Sequence, residues 1–317
     1  MDVMVIFGQM LVLFSMMLIG FFVYKKGWID DDASGRLSKL VVNVFNPILV
    51  VNGVLDGQNS TDSGRGILEN VVMGILYFVI LIIVSYLIVL VLRPQKGTRN
   101  MYRLMTIFSN VGFMGIPVIR SIYGNGAMIY VAIYILIYNL MIYTLGFSLA
   151  RKAAAEYTGE EGSTTGSILM TLKKLINPGV IAALLAVIIF VSGISLPSPI
   201  HTFCDYMGNT TIPLSMLLIG ISVAQEEVRK MLGDIRIYLF IILRMVLLPI
   251  AMIFLLRGLG IDEVVFGVFI IELGMPVGSI IALIVRECGA DSAYCTKGVV
   301  LSTLASIVTI PVICMFL

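Results

Sequence analysis

Gly112-Phe-Met-Gly-Ile-Pro117 and Glu272-Leu-Gly-Met-Pro-Val-Gly278 decide how this chain is read. Gly115-Ile-Pro117 matches Gly274-Met-Pro276 at an offset of 159 residues, half of the 317-residue chain. Each tripeptide sits near the middle of a long apolar run. Proline removes an amide donor and clashes with the turn before it, and a nearby glycine loosens the backbone further. Two such interruptions at corresponding places in two halves mark the binding site of a membrane carrier better than any other sequence feature. A single proline would signify no more than a kink.

The surrounding composition sets the solvent. The chain is 59% apolar and only 13% charged, against about 25% charged for a soluble domain. Its mean hydropathy is +1.04. With 21 basic and 19 acidic residues it lacks the basic excess of a nucleic-acid binder. One histidine and four scattered cysteines leave no zinc spacing and no disulfide framework. A membrane hydrolase would need a Ser–His pair, paired Asp or a metal site. His201 is read in an outer loop without a partner, so the chain is not read as an enzyme, and no cofactor is expected.

A helix needs about 20 mostly apolar residues to cross the hydrocarbon core. Ten runs qualify: 3–24, 38–55, 70–92, 103–123, 127–150, 176–195, 203–224, 236–256, 264–286 and 297–317. Asp2 and the lack of a base before the first run argue against a signal peptide. Seventeen of the 21 Lys and Arg fall in the odd-numbered loops, and only Arg65 and Arg257 in the even ones. By the positive-inside rule the odd loops are cytoplasmic and both termini extracellular. Residues 151–175 are rich in Gly, Ser, Thr and Glu and read as a cytoplasmic linker. It separates five spans (1–150) from five (176–317). Five is odd, so the second repeat enters the membrane inverted, the design of many secondary transporters. The fold expected is an all-α polytopic membrane protein of two inverted five-helix repeats.

These same residues resemble the auxin efflux carrier family, the plant PIN-type carriers and their bacterial relatives. Asn110-Val-Gly-Phe-Met-Gly-Ile-Pro117 looks like the family's Asn-x₄-Gly-Ile-Pro. Pro276-Val-Gly278 with the later Glu287 looks like its Pro-x-Gly and following acidic position. Asn177-Pro178, Arg244-x₄-Pro249 and Pro311 look like its marks in spans six, eight and ten. The resemblance covers essentially the whole chain and implies a scaffold of spans 1, 2, 6 and 7 and a transport unit of spans 3–5 and 8–10. It also implies crossing of the broken spans four and nine, homodimers and export of organic anions. The short linker differs from the long central loop of the longer plant carriers and favours a short, bacterial-type member, with dicarboxylates such as malate or malonate beside auxin-like monocarboxylates as substrates.

Polar residues inside the spans need a reason, because a charge there costs about 2.5–3.5 kcal/mol. Arg120 can snorkel to the outer surface. Arg244 is too deep for that; it can bind a substrate anion, pair with Glu272, or hold carbonyls freed by a break. Glu272, at the negative end of a half-helix, calls for a proton, Arg244 or Na⁺. Asn110 with Gly112, Gly115, Pro117, Gly274, Pro276, Gly278 and Asn46 forms the expected substrate site, where the second half-helices begin with free amides. Asn43, Asn46 and Pro47 in span two and Asn209, Thr210, Thr211, Pro213 and Ser215 in span seven form a second matched set, for helix–helix hydrogen bonding or cavity lining. The function expected is secondary transport of small organic anions across the plasma membrane by elevator-like alternating access. The alternatives are a Na⁺- or H⁺-coupled symporter of the bile-acid type and a sensor on a carrier fold.

Overall fold

The computed structural model describes residues 3–57, 64–95, 97–158, 177–194, 196–225 and 233–317. Most of the expected linker, residues 159–175, lies outside them. The described residues are helical, with no strand and one isolated β-bridge. Six helices are long and apolar enough to cross a membrane: Asp31–Leu55, Gly66–Leu92, Asn125–Glu156, Ser198–Gln225, Ile235–Leu259 and Ala293–Cys314. Shorter apolar helices cover Leu11–Lys25, Val111–Tyr123 and Pro178–Ser192. Leu18, Phe22, Ile83, Leu90, Val91, Phe254 and Leu255 all stand exposed. A surface of this kind is stable only against lipid.

In chain order the helices are α1 (Val3–Lys25), α2 (Asp31–Leu40), α3 (Asn46–Gly57), α4 (Gly64–Leu92), α5 (Arg99–Ile107), α6 (Ile116–Tyr123), α7 (Met128–Met141), α8 (Phe147–Thr158), α9 (Pro178–Ser192), α10 (Ser198–Gln225), α11 (Ile235–Ile242), α12 (Leu248–Leu256), α13 (Glu263–Gly274), α14 (Ile280–Glu287) and α15 (Ala293–Cys314). Local sequence explains several ends. Asp30 caps α2 through Ala33, Asn177 caps α9 through Val180, and Asp262 caps α13 through Val264 and Val265.

Four π turns join consecutive pieces: Val41–Phe45, Val111–Gly115, Ile142–Gly146 and Leu243–Leu247. Pro47, Pro117 and Pro249 each lie two residues past one of them. The proline ring collides with the carbonyl four residues back, and that carbonyl lies inside the wider turn in every case. These prolines therefore widen their helices without stopping them. Pro117 is a correction to the sequence reading. The interruption in the fourth run is the non-helical stretch 108–110, and the helix has already resumed through 111–115 when it reaches Pro117.

α1 packs most extensively on α10, and α3 packs on both α9 and α10. The approach of α1 to α10 depends on reciprocal glycines. A Cβ on Gly20 would lie 2.1 Å from the Leu217 carbonyl oxygen, and one on Gly220 would lie 1.8 Å from that of Met17. Small residues at such contacts are how helices associate where lipid is as apolar as leucine. α4, α5, α7, α11, α13 and α15 pack around the two interrupted stretches. Of the second matched set, Thr211 donates to the Phe45 carbonyl at 3.0 Å, in the π turn ahead of Pro47. Asn43 and Thr210 bond their own helices. Arg120 donates to Asn125 at the end of α6. His201 sits within α10, not in a loop, with Nδ1 3.5 Å from Asp205 Oδ2 one turn on.

Candidate functional site: the crossing of two interrupted helices

Two extended stretches meet at the centre of the molecule. α5 ends at Ile107 and the chain runs extended through Phe108 before the turn that leads to α6. α13 ends at Gly274 and runs extended through Met275 before α14. Ser109 and Val277 form an antiparallel bridge: Asn110 N–H donates to the Pro276 carbonyl at 2.8 Å, and Gly278 N–H donates to the Phe108 carbonyl at 2.9 Å. Val277 N–H donates to Ser302 Oγ at 3.0 Å. Breaking a buried helix orphans backbone groups, and here each break takes up some of the other's. Gly278 is required by the close approach, since a Cβ there would lie 2.8 Å from the Ser109 carbonyl oxygen.

Asn110 caps the resumed helix, its Oδ1 accepting from Phe113 N–H at 3.2 Å. Asn110 N–H is committed to Pro276, but the amides of Val111 and Gly112 find no acceptor among the described residues. The amides of Ser279 and Ile280, where α14 begins, find none either. Two helix starts with free N–H groups therefore lie beside the bridge. Asn46 reaches the first of them: its Nδ2 would be 3.8 Å from a Cβ on Gly112, and its buried Oδ1 has no partner among the described residues.

A cavity of about 520 Å³ opens from this point. Asn110, Phe113, Ser279 and Thr303 stand at its head. α2 and α10 form one wall through Ser34, Ser38, Leu218 and Ser222, and α14 and α15 form the other through Leu283 and Val299. Asp31, Gln225, Arg286 and Thr296 line it at the ends of those helices. Asp31 is held there by Tyr24 Oη at 2.8 Å and Gln225 Nε2 at 2.9 Å.

Of the expected site residues, Asn110 lines the cavity. Pro276 and Gly278 build the bridge behind it, and Gly112 and Asn46 flank it. Gly274 packs on Ile313 and Pro117 is buried in the resumed helix. Gly115 lies against Glu272: a Cβ there would be 2.7 Å from Oε1 and 3.0 Å from Oε2. The Glu272 side chain is fully buried, and neither oxygen has a hydrogen-bond partner among the described residues. Arg244 is also fully buried, and its guanidinium lies on backbone carbonyls, not on Glu272. The wall hydroxyls escaped the sequence reading. Their signal is spacing alone, Ser34 and Ser38 on one helix face and Thr296 and Thr303 on another.

The family model for membrane transport proteins matches residues 5–314. The chain belongs to that family. It is also similar to an uncharacterized transporter of Methanothermobacter thermautotrophicus, 24% identical over 305 residues that cover 93% of each chain. The resemblance to auxin efflux carriers read from the motifs is thereby shown, and with it a multi-pass membrane protein of a transport family.

Proposed function

We propose that this transporter carries small organic anions, auxin-like monocarboxylates or dicarboxylates, by elevator-like alternating access without ATP. The observation that carries this reading is the pair of helix starts, 111–112 and 279–280, whose amides find no acceptor among the described residues and whose neighbours Asn110 and Phe113, with Ser279, line a cavity of substrate size. Free N–H groups and the positive ends of helix dipoles are a ready anion site. Asn110 and Ser279 add neutral polar contacts that do not oppose a carboxylate. Ten membrane crossings in two inverted repeats, 1–150 and 176–317, account for two interruptions meeting head to head. Residues 151–175 join the repeats on the cytoplasmic side. The cavity ends beside Arg286, on the Lys- and Arg-rich side, which supports an inward-facing state with both termini outside the plasma membrane. Homodimer assembly follows from the family resemblance.

Coupling to Na⁺ or H⁺ is a second reading, favoured by the unpartnered carboxyl of Glu272. The purified protein in liposomes separates the two. Uptake of labelled benzoate, indole-3-acetate, succinate and malonate is measured with membrane potential, Na⁺ and pH gradients imposed one at a time. Uptake of at least one carboxylate under potential alone is the expected result. Asn110→Asp, which sets a negative charge at the cavity head, lowers that uptake tenfold or more. Uptake indifferent to Asn110→Asp removes the site from the crossing.

A further inference from the structure

We propose that Arg244 is the positioning residue of the crossing: one fixed positive charge that ties together the C-terminal ends of both interrupted helices. The last carbonyls of any helix are orphaned and form its negative end. α5 and α13 stop at the same place, so two negative ends face each other inside the membrane. Arg244 projects between them from the π turn 243–247. Its Nε donates to the Thr106 carbonyl at 3.3 Å, in the last turn of α5. Its Nη1 donates to the Leu273 carbonyl, in the last turn of α13, and to the Met275 carbonyl at 3.0 Å just beyond. Its Nη2 donates to Ser109 Oγ, beside the bridge itself. Tyr77 completes the set, sharing Ser109 Oγ at 2.6 Å and leaning on the Glu272 carbonyl at 3.4 Å.

No carboxylate lies within ion-pair distance of this guanidinium among the described residues; the carbonyls it touches are those of the two helix ends. Planarity matters as much as charge. A fork of five N–H groups in one plane reaches acceptors on both helices at once, which a lysine ammonium on its flexible stem does not, and arginine never gives up its proton. By fixing the ends of α5 and α13, Arg244 fixes where the extended stretches lie. That in turn sets the separation of the two amide-bearing starts at 111 and 279. The place between the helix ends that would draw a small cation is filled by the protein's own charge.

The inference goes beyond the transport reading and its test needs no substrate, so each can fail alone. Hydrogen exchange is followed by mass spectrometry in lipid nanodiscs for wild type, Arg244→Lys, Arg244→Gln and Arg244→Met. The reporters are the amides of Asn110 and Gly278, which bond across the bridge; peptides from the paired α1 and α10 are the control for folding. In the variants, exchange at 108–112 and 275–280 rises tenfold or more while α1 and α10 keep their protection, and Lys is perturbed less than Gln or Met. In wild type, protection of the crossing is the same in sodium chloride and choline chloride. Three results would overturn the proposal: unchanged exchange at the crossing in the variants, Met preserving protection as well as or better than Lys, or protection of the wild-type crossing that depends on Na⁺. If every variant fails to fold, the comparison of salts on wild type still decides.

Discussion

Glu272 and Arg244 are both fully buried near the same crossing, yet their bonding differs in kind. The guanidinium is satisfied by backbone and hydroxyl acceptors, whereas the carboxyl rests on Gly115 with no donor among the described residues. Sequence alone left a salt bridge between them open, since carbonyl acceptors belong to every residue and leave no mark in a sequence. The distinction has a measurable consequence. Removing one partner of a buried ion pair costs about 3–5 kcal/mol, because the other charge is stranded. Glu272→Gln strands nothing here, so its effect on thermal unfolding in detergent is expected to stay within about 1 kcal/mol. A loss of several kcal/mol, recovered in the double variant with Arg244→Gln, would show that the two side chains are coupled after all.

At the scale of the element, the repeated Gly-x-Pro was legible but its meaning was only half right. Pro276 lies in the extended stretch and its carbonyl takes the Asn110 amide. Pro117 lies in a helix already under way, behind a π turn that accommodates its ring. With the bridge of Ser109 to Val277 as the reference point, Pro117 stands opposite Val285 and not Pro276, so identical tripeptides occupy different stations. A match in letters reports a preference for a loosened backbone and does not say on which side of a break it falls. Pro117→Ala should therefore leave carboxylate uptake within about twofold of wild type, since the turn before it can tighten without moving the bridge. A tenfold loss would return Pro117 to the site. The α1–α10 pair makes a second element-scale claim. Gly220→Val places methyl groups against the Met17 carbonyl and forces the two helices apart. Overpacking of this sort costs about 1–3 kcal/mol or more, read as a lower thermal midpoint in detergent. An unchanged midpoint would mean that α1 does not lie this close.

At the scale of the molecule, composition and hydropathy were enough for an all-helical membrane protein, because continuous apolar runs of about 20 residues fit spanning helices and not the short alternating strands of a barrel. Asn110, Pro276 and Gly278 were legible as residues of the interruptions because a broken helix needs unusual residues and they stand out in an apolar run. The cavity was not. Ser34, Ser38, Ser222, Thr296 and Thr303 are ordinary hydroxyls in membrane helices, and only the packing of α2, α10, α14 and α15 brings them to one space. The central claim is that this space, open toward the Lys- and Arg-rich side and closed at its head by the crossing, is where the organic anion binds. Ser279 tests it most directly, standing at the start of α14 and on the cavity wall. Ser279→Cys is made in a background lacking Cys204, Cys288, Cys295 and Cys314, and carboxylate uptake is followed in vesicles of known orientation. A membrane-impermeant, negatively charged thiol reagent added on the cytoplasmic face is predicted to label this cysteine and stop uptake, with the carried carboxylate slowing the labelling. Labelling from the outer face alone, or full labelling with uptake intact, would contradict the account.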